Sequence, residues 1–228
     1  MKRIINYTRY FIYLWWYWSF KLAYFVLKHE IRGEKKYGVD TIGIDELEGS
    51  VSAEDLEHAS IYQPINYYTA ETFFNQLTEV HFTHGFLDAG CGKGRAIAMA
   101  AYYGFKEIHG FDFSPKLVAK AQKSVQKIQS EYPGTNFIIT EADARFYKLP
   151  VSINTIFLFN PFDAFVMEDF IHAIQKSVAE KNRTITVLYA NPVCKSLFVK
   201  AGFEETFYFQ KMKYIEGVVL TLRQKVNF

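Results

Sequence analysis

The chain has 228 residues, of which 50% are hydrophobic, and a formal net charge of +2 at pH 7. This composition argues against disorder, and the length suffices for one globular domain with an N-terminal extension. Because positive and negative charges nearly balance, the sequence carries no strong signal for binding nucleic acid.

An aromatic segment occupies the first thirty residues and includes all three tryptophans, at positions 15, 16 and 18. Apolar side chains recur in it at helical spacing and predict one amphipathic helix over residues 1–30. The members of this stripe are Phe11, Leu14, Trp15, Trp18, Leu22 and Phe25. The longest uncharged run, residues 10–20, has 11 residues, whereas a helix that spans a membrane needs about 20.

Three partners are open for this aromatic helix. Its stripe can pack on the rest of the domain, on a second copy of the chain, or in the plane of a membrane surface. Tyrosine and tryptophan suit the membrane interface, and the lysine and arginine side chains nearby suit anionic lipid. Peripheral membrane contact through residues 7–26 is therefore one hypothesis. A cleavable secretory signal is not expected, because Arg9 interrupts the apolar stretch.

A segment over residues 31–80 is predicted to precede the main domain, which is assigned to residues 81–228. The segment carries the motif Tyr62-Gln63-Pro64 and a predicted helix at about residues 69–80. The division therefore gives an aromatic helix, a connecting segment and one α/β domain.

A glycine-rich turn follows the first predicted strand, residues 85–88. It runs Asp88-Ala89-Gly90-Cys91-Gly92-Lys93-Gly94-Arg95 and leads into an alanine-rich helix. Such a turn lets the backbone approach a ligand closely, and the helix start offers free amide donors. The nicotinamide or flavin fingerprint G-x-G-x-x-G needs a third glycine where this chain has Arg95, so it fits poorly. Asp88 instead suits a cationic, amino-acid-like group.

The second predicted strand, residues 107–112, also ends in an acid. Asp112 is followed by Phe113 and by Ser114, which is suited to cap a helix. In a doubly wound sheet, a carboxylate at this strand end can accept both hydroxyl groups of a ribose. The alternative is that Asp112 only helps Ser114 to cap the helix.

Two further strands end in polar residues. Residues 136–140 lead to Asp143 and Ala144, and residues 155–160 lead to Asn160-Pro161-Phe162. Asp163 is expected to cap the helix that follows. Strands at 184–189, 203–209 and 217–222 complete a set of seven, alternating with helices up to a final pair joined by a short polar turn.

Residues 88–94 resemble the first motif of the class I S-adenosylmethionine (SAM) dependent methyltransferases, and residues 141–144 resemble that family's adenine-contacting segment. The resemblance implies an α/β fold with a Rossmann-like, doubly wound, seven-stranded sheet, mostly parallel with an antiparallel C-terminal strand. It also implies SAM as the cofactor. The implied contacts are Asp88, Ala89, Gly90, Cys91, Gly92 and Gly94 at the methionyl end, Asp112 and Phe113 at the ribose, and Asp143 and Ala144 at the adenine.

Asn160-Pro161-Phe162 resembles the Asn-Pro-Pro-Tyr motif of amino-methylating members of this family, although the second proline is missing. The resemblance implies that these three residues form the catalytic loop, with Asn160 also beside the cofactor. The amide oxygen of Asn160 and a backbone carbonyl would then hold an amine hydrogen and ease the positive charge growing on nitrogen. The alternative is that Asn160 only shapes the loop.

The Tyr-x-Pro motif at Tyr62 and Pro64 resembles an element of bacterial class I methyltransferases whose substrates are unassigned. It is similar also to mitochondrial protein-lysine methyltransferases with a membrane-directing segment and, more distantly, to the non-SET histone-lysine enzymes. This resemblance covers residues 37–203 and implies that Tyr62 and Pro64 lie over the cofactor pocket. Aromatic packing is the alternative role for each.

Thiol and metal chemistry are not expected. Cys91 and Cys194 suit reduced thiols in a cytoplasmic protein, and no histidine partner for a nucleophilic Cys91 can be identified. His81 and His84 have His-x-x-His spacing, but no further ligand types cluster with them, so no metal is predicted.

The predicted function is an enzyme, a SAM-dependent methyltransferase that acts on a nucleophile, with nitrogen and a protein lysine preferred. A small-molecule acceptor is the nearest alternative. A non-catalytic SAM-binding or membrane-associated protein and a nicotinamide oxidoreductase are the others. The expected location is the cytoplasm, with membrane association open. The acceptor itself and the oligomeric state are not predicted.

Overall fold

A computed structural model describes residues 2–42 and 63–223 of the protein. Its centre is a seven-stranded sheet with the order β3-β2-β1-β4-β5-β7-β6. β7 runs antiparallel to both of its neighbours, whereas the pairs among β1 to β5 are parallel. The strands are β1 (Gly85–Ala89), β2 (Glu107–Asp112), β3 (Asn136–Glu141), β4 (Ile153–Phe159), β5 (Ile185–Ala190), β6 (Glu204–Lys211) and β7 (Ile215–Leu222). The predicted fold class is confirmed.

Helices cover both faces of the sheet. They are α1 (Lys2–Tyr17), α2 (Phe20–Tyr37), α3 (Tyr67–Phe74), α4 (Glu79–Phe82), α5 (Arg95–Tyr103), α6 (Pro115–Ile128), α7 (Ala164–Glu180) and α8 (Lys195–Lys200), with short 3-10 turns at Gln129–Glu131 and Ala144–Phe146. α3, α5 and α6 contribute to one hydrophobic core, and α7 and α8 contribute to a second. β1 shows how the strands serve both cores, because Phe86 lies in the first and Leu87 in the second.

The N-terminal aromatic segment forms two helices rather than the predicted single helix over residues 1–30. Ser19 ends the continuity: its backbone is extended, and its side chain accepts a hydrogen bond from the Leu22 amide, which caps α2. Leu14 and Leu22 are buried, so part of the predicted stripe packs on the domain beside Ile42 and Ile215.

Another part of that stripe faces outward. Trp15 is 54% exposed, and its neighbour Trp16 is 83% exposed. No described helix is long and apolar enough to cross a membrane. The two N-terminal helices therefore combine a buried apolar face with an exposed aromatic one.

The predicted helix over residues 69–80 is also split in two. α3 begins earlier, after Asn66, whose side chain accepts a hydrogen bond from the Thr69 amide at 2.8 Å, and it ends at Phe74. The short α4 follows after a turn. There, Nδ1 of His81 accepts a hydrogen bond from the Thr78 amide at 3.1 Å. Within residues 2–42 and 63–223, no group of three or more His, Cys, Asp or Glu residues is placed to hold a metal ion.

Candidate active site

The candidate site lies at the point where the order of the strands reverses. β2 and β3 follow on one side of β1, and β4 and β5 follow on its other side. The loops after these strands diverge at this point and leave a cleft beyond the carboxyl ends, which is where ligands bind in open α/β sheets. The cleft is lined by residues that include Asp88, Gly90, Asp112, Phe113 and Pro161.

The glycine-rich turn has the backbone that its sequence predicts. Gly90, Gly92 and Gly94 all have positive φ, at +76°, +53° and +84°, a region that other residues rarely adopt. Gly90 is also required by space, because a Cβ atom there would lie 2.5 Å from the Cβ atom of Pro161. The backbone of Gly90 in the turn after β1 therefore packs directly against the ring of Pro161 in the loop after β4.

Asp112 fixes this turn to the end of β2. One of its carboxylate oxygens accepts a hydrogen bond from the Gly92 amide at 2.9 Å, and the other accepts one from the Ser114 amide at 3.0 Å. Burial raises the pKa of Asp112 to about 6, against the lowering effect of these two amides. The structure therefore shows the alternative role of Asp112, a hydrogen bond with the residue that caps the next helix. Contact of Asp112 with a ribose stays a prediction.

Asp88 is the unusual group in the cleft. It is buried, and no described residue donates a hydrogen bond to it or pairs with it. Burial and, secondarily, the nearby Asp112 raise its pKa to about 8. A buried carboxylate without a partner is unfavourable, and a cation in the cleft would relieve it. This arrangement fits the ammonium group of SAM at the methionyl end.

Space in the cleft is limited by residues 63–65, which form one wall. The free volume is about 80 Å³, less than the roughly 300 to 1,000 Å³ of typical ligand pockets. A bound cofactor therefore needs a wider cleft than this one. Pro64 lies at the cleft, as the Tyr-x-Pro motif predicts, and Tyr62 falls outside the described residues.

Arg95 lines the cleft and makes long-range contacts that the sequence did not predict. It begins α5 directly after the turn, is buried, and donates to Glu30 of α2, to Thr41 at 2.6 Å and to the Ile65 carbonyl at 2.6 Å. Its guanidinium lies 4.1 Å from the ring centre of Tyr67. Burial raises the pKa of Glu30, and Arg95 opposes that rise. Arg95 therefore joins the glycine-rich turn to the N-terminal helices.

The predicted adenine contacts lie beyond the residues that line the cleft. Asp143 caps the 3-10 turn Ala144–Phe146 and accepts hydrogen bonds from the amide and Nε of Arg145, both at 2.8 Å. Partial burial acts to raise the pKa of Asp143, but the bonds from Arg145 outweigh it and hold the pKa below its usual value. Ala144 is buried. Contact of either residue with adenine stays a prediction.

Asn160, Pro161 and Phe162 come together at the end of β4. Asn160 has a left-handed backbone, with φ +38°, and its amide oxygen accepts a long hydrogen bond of 3.4 Å from the Tyr189 hydroxyl. Phe162 lines the cleft but is held in the core, where its ring is parallel to that of Phe111 at 6.3 Å.

Two subsidiary predictions concern neighbouring side chains. Asp163 caps α7 as predicted, accepting a hydrogen bond from the Val166 amide at 3.0 Å. Cys91 is buried, and burial raises the pKa of its thiol well above the usual value. This favours the predicted packing role over a nucleophilic one, since the thiolate is the reactive form.

Known proteins similar to this chain include methyltransferases. A family described as a methyltransferase domain matches residues 86–181. No curated protein matches the chain. A SAM-dependent methyltransferase from Aquifex aeolicus is 14% identical, with 67% of this chain and 88% of that chain covered and a TM-score of 0.53.

Two more solved structures show the same fold. Magnesium protoporphyrin IX methyltransferase from Synechocystis PCC 6803, with bound SAM, is 16% identical over 72% of this chain and 86% of that chain, with a TM-score of 0.52. The Pyrococcus abyssi tRNA (uracil-54, C5)-methyltransferase, in complex with S-adenosyl-L-homocysteine (SAH), is 18% identical over 71% of this chain and 40% of that chain, with a TM-score of 0.53.

The fold and the domain match define the class of protein. At these identities the solved structures establish the fold alone, and the matched domain adds the methyltransferase assignment. The predictions of a SAM-dependent methyltransferase and of SAM as its cofactor are confirmed at the level of this domain and fold.

Proposed function

We propose that the protein transfers the methyl group of SAM to a nitrogen atom. The observation that carries this proposal is the position of Asn160. It follows Phe159, which lines the cofactor cleft, and its left-handed turn places Pro161 against Gly90. The amide oxygen of Asn160 accepts a long hydrogen bond of 3.4 Å from the Tyr189 hydroxyl, which an acceptor N–H can replace.

The residues of the cleft bind and orient rather than activate. Bound SAM supplies a methyl carbon already made electrophilic by the sulfonium charge. Asp88 would hold the ammonium group, and Asp112 the ribose hydroxyls. The acceptor nitrogen forms the new N–C bond while the S–C bond breaks, and then gives up one proton to solvent. Asn160 accepts a hydrogen bond from that nitrogen and stabilises its growing positive charge.

Asn160→Gly is the most direct test, because glycine accepts the left-handed backbone and the substitution removes the side chain that carries the amide. We expect turnover of labelled methyl groups from SAM to fall about tenfold or more, with SAM affinity little changed. Asn154→Ala, at the opposite end of β4, is the matched control. Full turnover in Asn160→Gly would mean that Asn160 only shapes the loop.

Two classes of nitrogen acceptor fit this proposal. A protein lysine is favoured by the resemblance of the Tyr-x-Pro segment to lysine methyltransferases, and a small molecule is the alternative. Labelled methyl transfer into a cell lysate, followed by separation of protein from small molecules, distinguishes them.

We also propose that the exposed aromatic face of α1 and α2 contacts an anionic membrane surface. Trp16, Tyr17 and Phe20 are 83%, 66% and 57% exposed. Residues 1–29 contain five lysine and arginine residues and no aspartate or glutamate, so this segment and an anionic surface have complementary charge.

Vesicle flotation tests this membrane proposal. The full chain should float with vesicles that contain phosphatidylglycerol and less with pure phosphatidylcholine vesicles. The double variant Trp16→Ser, Phe20→Ser should lose flotation, whereas Phe146→Ser, which removes an aromatic ring 78% exposed elsewhere, should keep it. Flotation of the double variant equal to that of the wild-type chain would refute membrane contact by this face. So would a wild-type dimer that the double variant fails to form.

A further inference from the structure

We propose that a second cavity beside the cofactor cleft is the acceptor site, and that it takes a small amine with an apolar, ring-sized body. This inference rests on the proposed methyl transfer to nitrogen. The cavity has a volume of about 390 Å³, within the range of sites that bind small organic molecules. It lies between the N-terminal helices, the ends of β4 and β5, and the turn that joins β6 to β7.

The cavity and the cofactor cleft share a wall. Residues 63–65 and Phe159 line both spaces. Phe159 directly precedes Asn160, so the proposed nitrogen-binding residue is the next residue in the chain after this shared wall. A molecule in the second cavity would therefore lie next to the cofactor cleft, across this shared wall.

The walls of the cavity indicate the chemistry of its occupant. Tyr10, Leu14, Trp18, Leu22 and Val26 form an apolar side contributed by α1, α2 and the turn between them. Asn191, Lys213 and Glu216 contribute polar groups at the side formed by β5 and the β6–β7 turn. Gln63, Asn66 and Thr69 add further polar groups. The cavity therefore combines an apolar side with polar groups that can orient a ligand, which suits a small amine with an apolar body. A single extended lysine side chain would leave much of the cavity unfilled.

The apolar wall is held in place from behind. The buried Arg95 pairs with Glu30 of α2, and the Tyr7 hydroxyl of α1 donates to Glu34 of α2. Leu14 and Leu22 belong to a buried cluster with Ile215 of β7. These contacts are internal, so the apolar side of the cavity is preformed, and Arg95 connects it to the glycine-rich turn.

The test uses SAH-saturated protein and 1-naphthylmethylamine as the probe. Replacing the exposed Trp15 and Trp16 by phenylalanine leaves Trp18, which lines the cavity, as the only tryptophan. Quenching of its fluorescence should then report saturable binding. In this background Leu14→Phe, which fills the cavity, should weaken binding about tenfold or more. Ile12→Phe, on the exposed face of the same helix, should leave it within about twofold.

A second variant addresses the risk that Leu14→Phe disturbs folding. Leu14→Ala enlarges the cavity and should improve binding of the bulkier 9-anthracenylmethylamine relative to the naphthyl probe. If the Leu14→Ala, Leu14→Phe and Ile12→Phe proteins all bound each probe with the same affinity, the cavity would not be the site that binds the amine.

Two readouts separate this inference from the proposed function. Calorimetry with SAM reports the cofactor site, and labelled transfer into lysate reports the acceptor class. Label in the ultrafiltrate, reduced by Leu14→Phe and not by Ile12→Phe, supports the inference. SAM binding with label only in retained protein overturns the small-molecule acceptor and leaves methyl transfer standing. Absence of SAM binding overturns the proposed function itself.

Discussion

Replacing Asp88 by asparagine should make the ligand-free protein less sensitive to rising pH. The carboxyl group has a pKa of about 8 in the folded protein, against an ordinary value of 3.8. Between these values the folded state binds one more proton than the unfolded state at this position, so the free energy of unfolding falls as pH rises. Asparagine has nearly the same shape and does not titrate.

The size of the effect follows from the same two pKa values. The loss is about 1.4 kcal/mol for each pH unit between them. From pH 5 to pH 7, the wild-type protein should therefore lose about 3 kcal/mol relative to Asp88→Asn. Urea denaturation of both proteins at the two pH values, without SAM, measures this difference. Other titrating groups cancel in the comparison.

Asp143→Asn is the matched control, because the pKa of Asp143 is shifted in the opposite direction, below its usual value. Stability contributed by a lowered pKa is present above the unfolded value and is lost only as pH falls through the folded one. Both values lie below pH 5, so the difference between Asp143→Asn and wild type should not change between pH 5 and 7. If Asp88→Asn behaved in the same way, Asp88 would not be an unpaired buried acid.

Three further predictions concern the turn and its connections. At pH 7, SAM binding should release about one proton from the wild-type protein and markedly less from Asp88→Asn, measured by calorimetry in buffers of different ionisation enthalpy. Arg95→Met should lower the free energy of unfolding by about 3 to 5 kcal/mol, since it leaves Glu30 buried and unpaired. Adding Glu30→Met should recover part of that loss, and no recovery would contradict the reasoning. Gly90→Ala should weaken SAM binding and destabilise more than Gly104→Ala, because both glycines have positive φ but only Gly90 is crowded.

The strands and their ends were predictable because their signals are local. β4 contains the apolar run 156–159, which leads into Asn160 and Pro161, and its observed bounds, Ile153–Phe159, differ from the prediction by one or two residues. Asp163 lies three residues before the Val166 amide that it caps. In each case the residues that decide the structure are close in sequence, so the pattern contains the information.

The connections to the N-terminal helices were not predictable in the same way. Glu30 and Arg95 are 65 residues apart, and no local pattern relates them. A signal existed nevertheless, because Glu30 is the first acid in the chain. The break between α1 and α2 also had one, in Ser19, a good capping residue within an apolar stretch. The aromatic stripe continues past Ser19 at helical spacing, so the sequence pattern predicted one continuous helix.

Arg95 connects the N-terminal helices to the glycine-rich turn. Its charge is buried, and Glu30 of α2 supplies the carboxylate that compensates it. Removing α2 would therefore leave an uncompensated cation at the first residue of α5, next to the turn that Asp112 holds. Because α2 also lines the second cavity through Leu22 and Val26, one ion pair connects the wall of that cavity to the cofactor turn. A substitution that weakens the packing around the cavity should consequently also alter ligand binding in the cleft, and the reverse should hold.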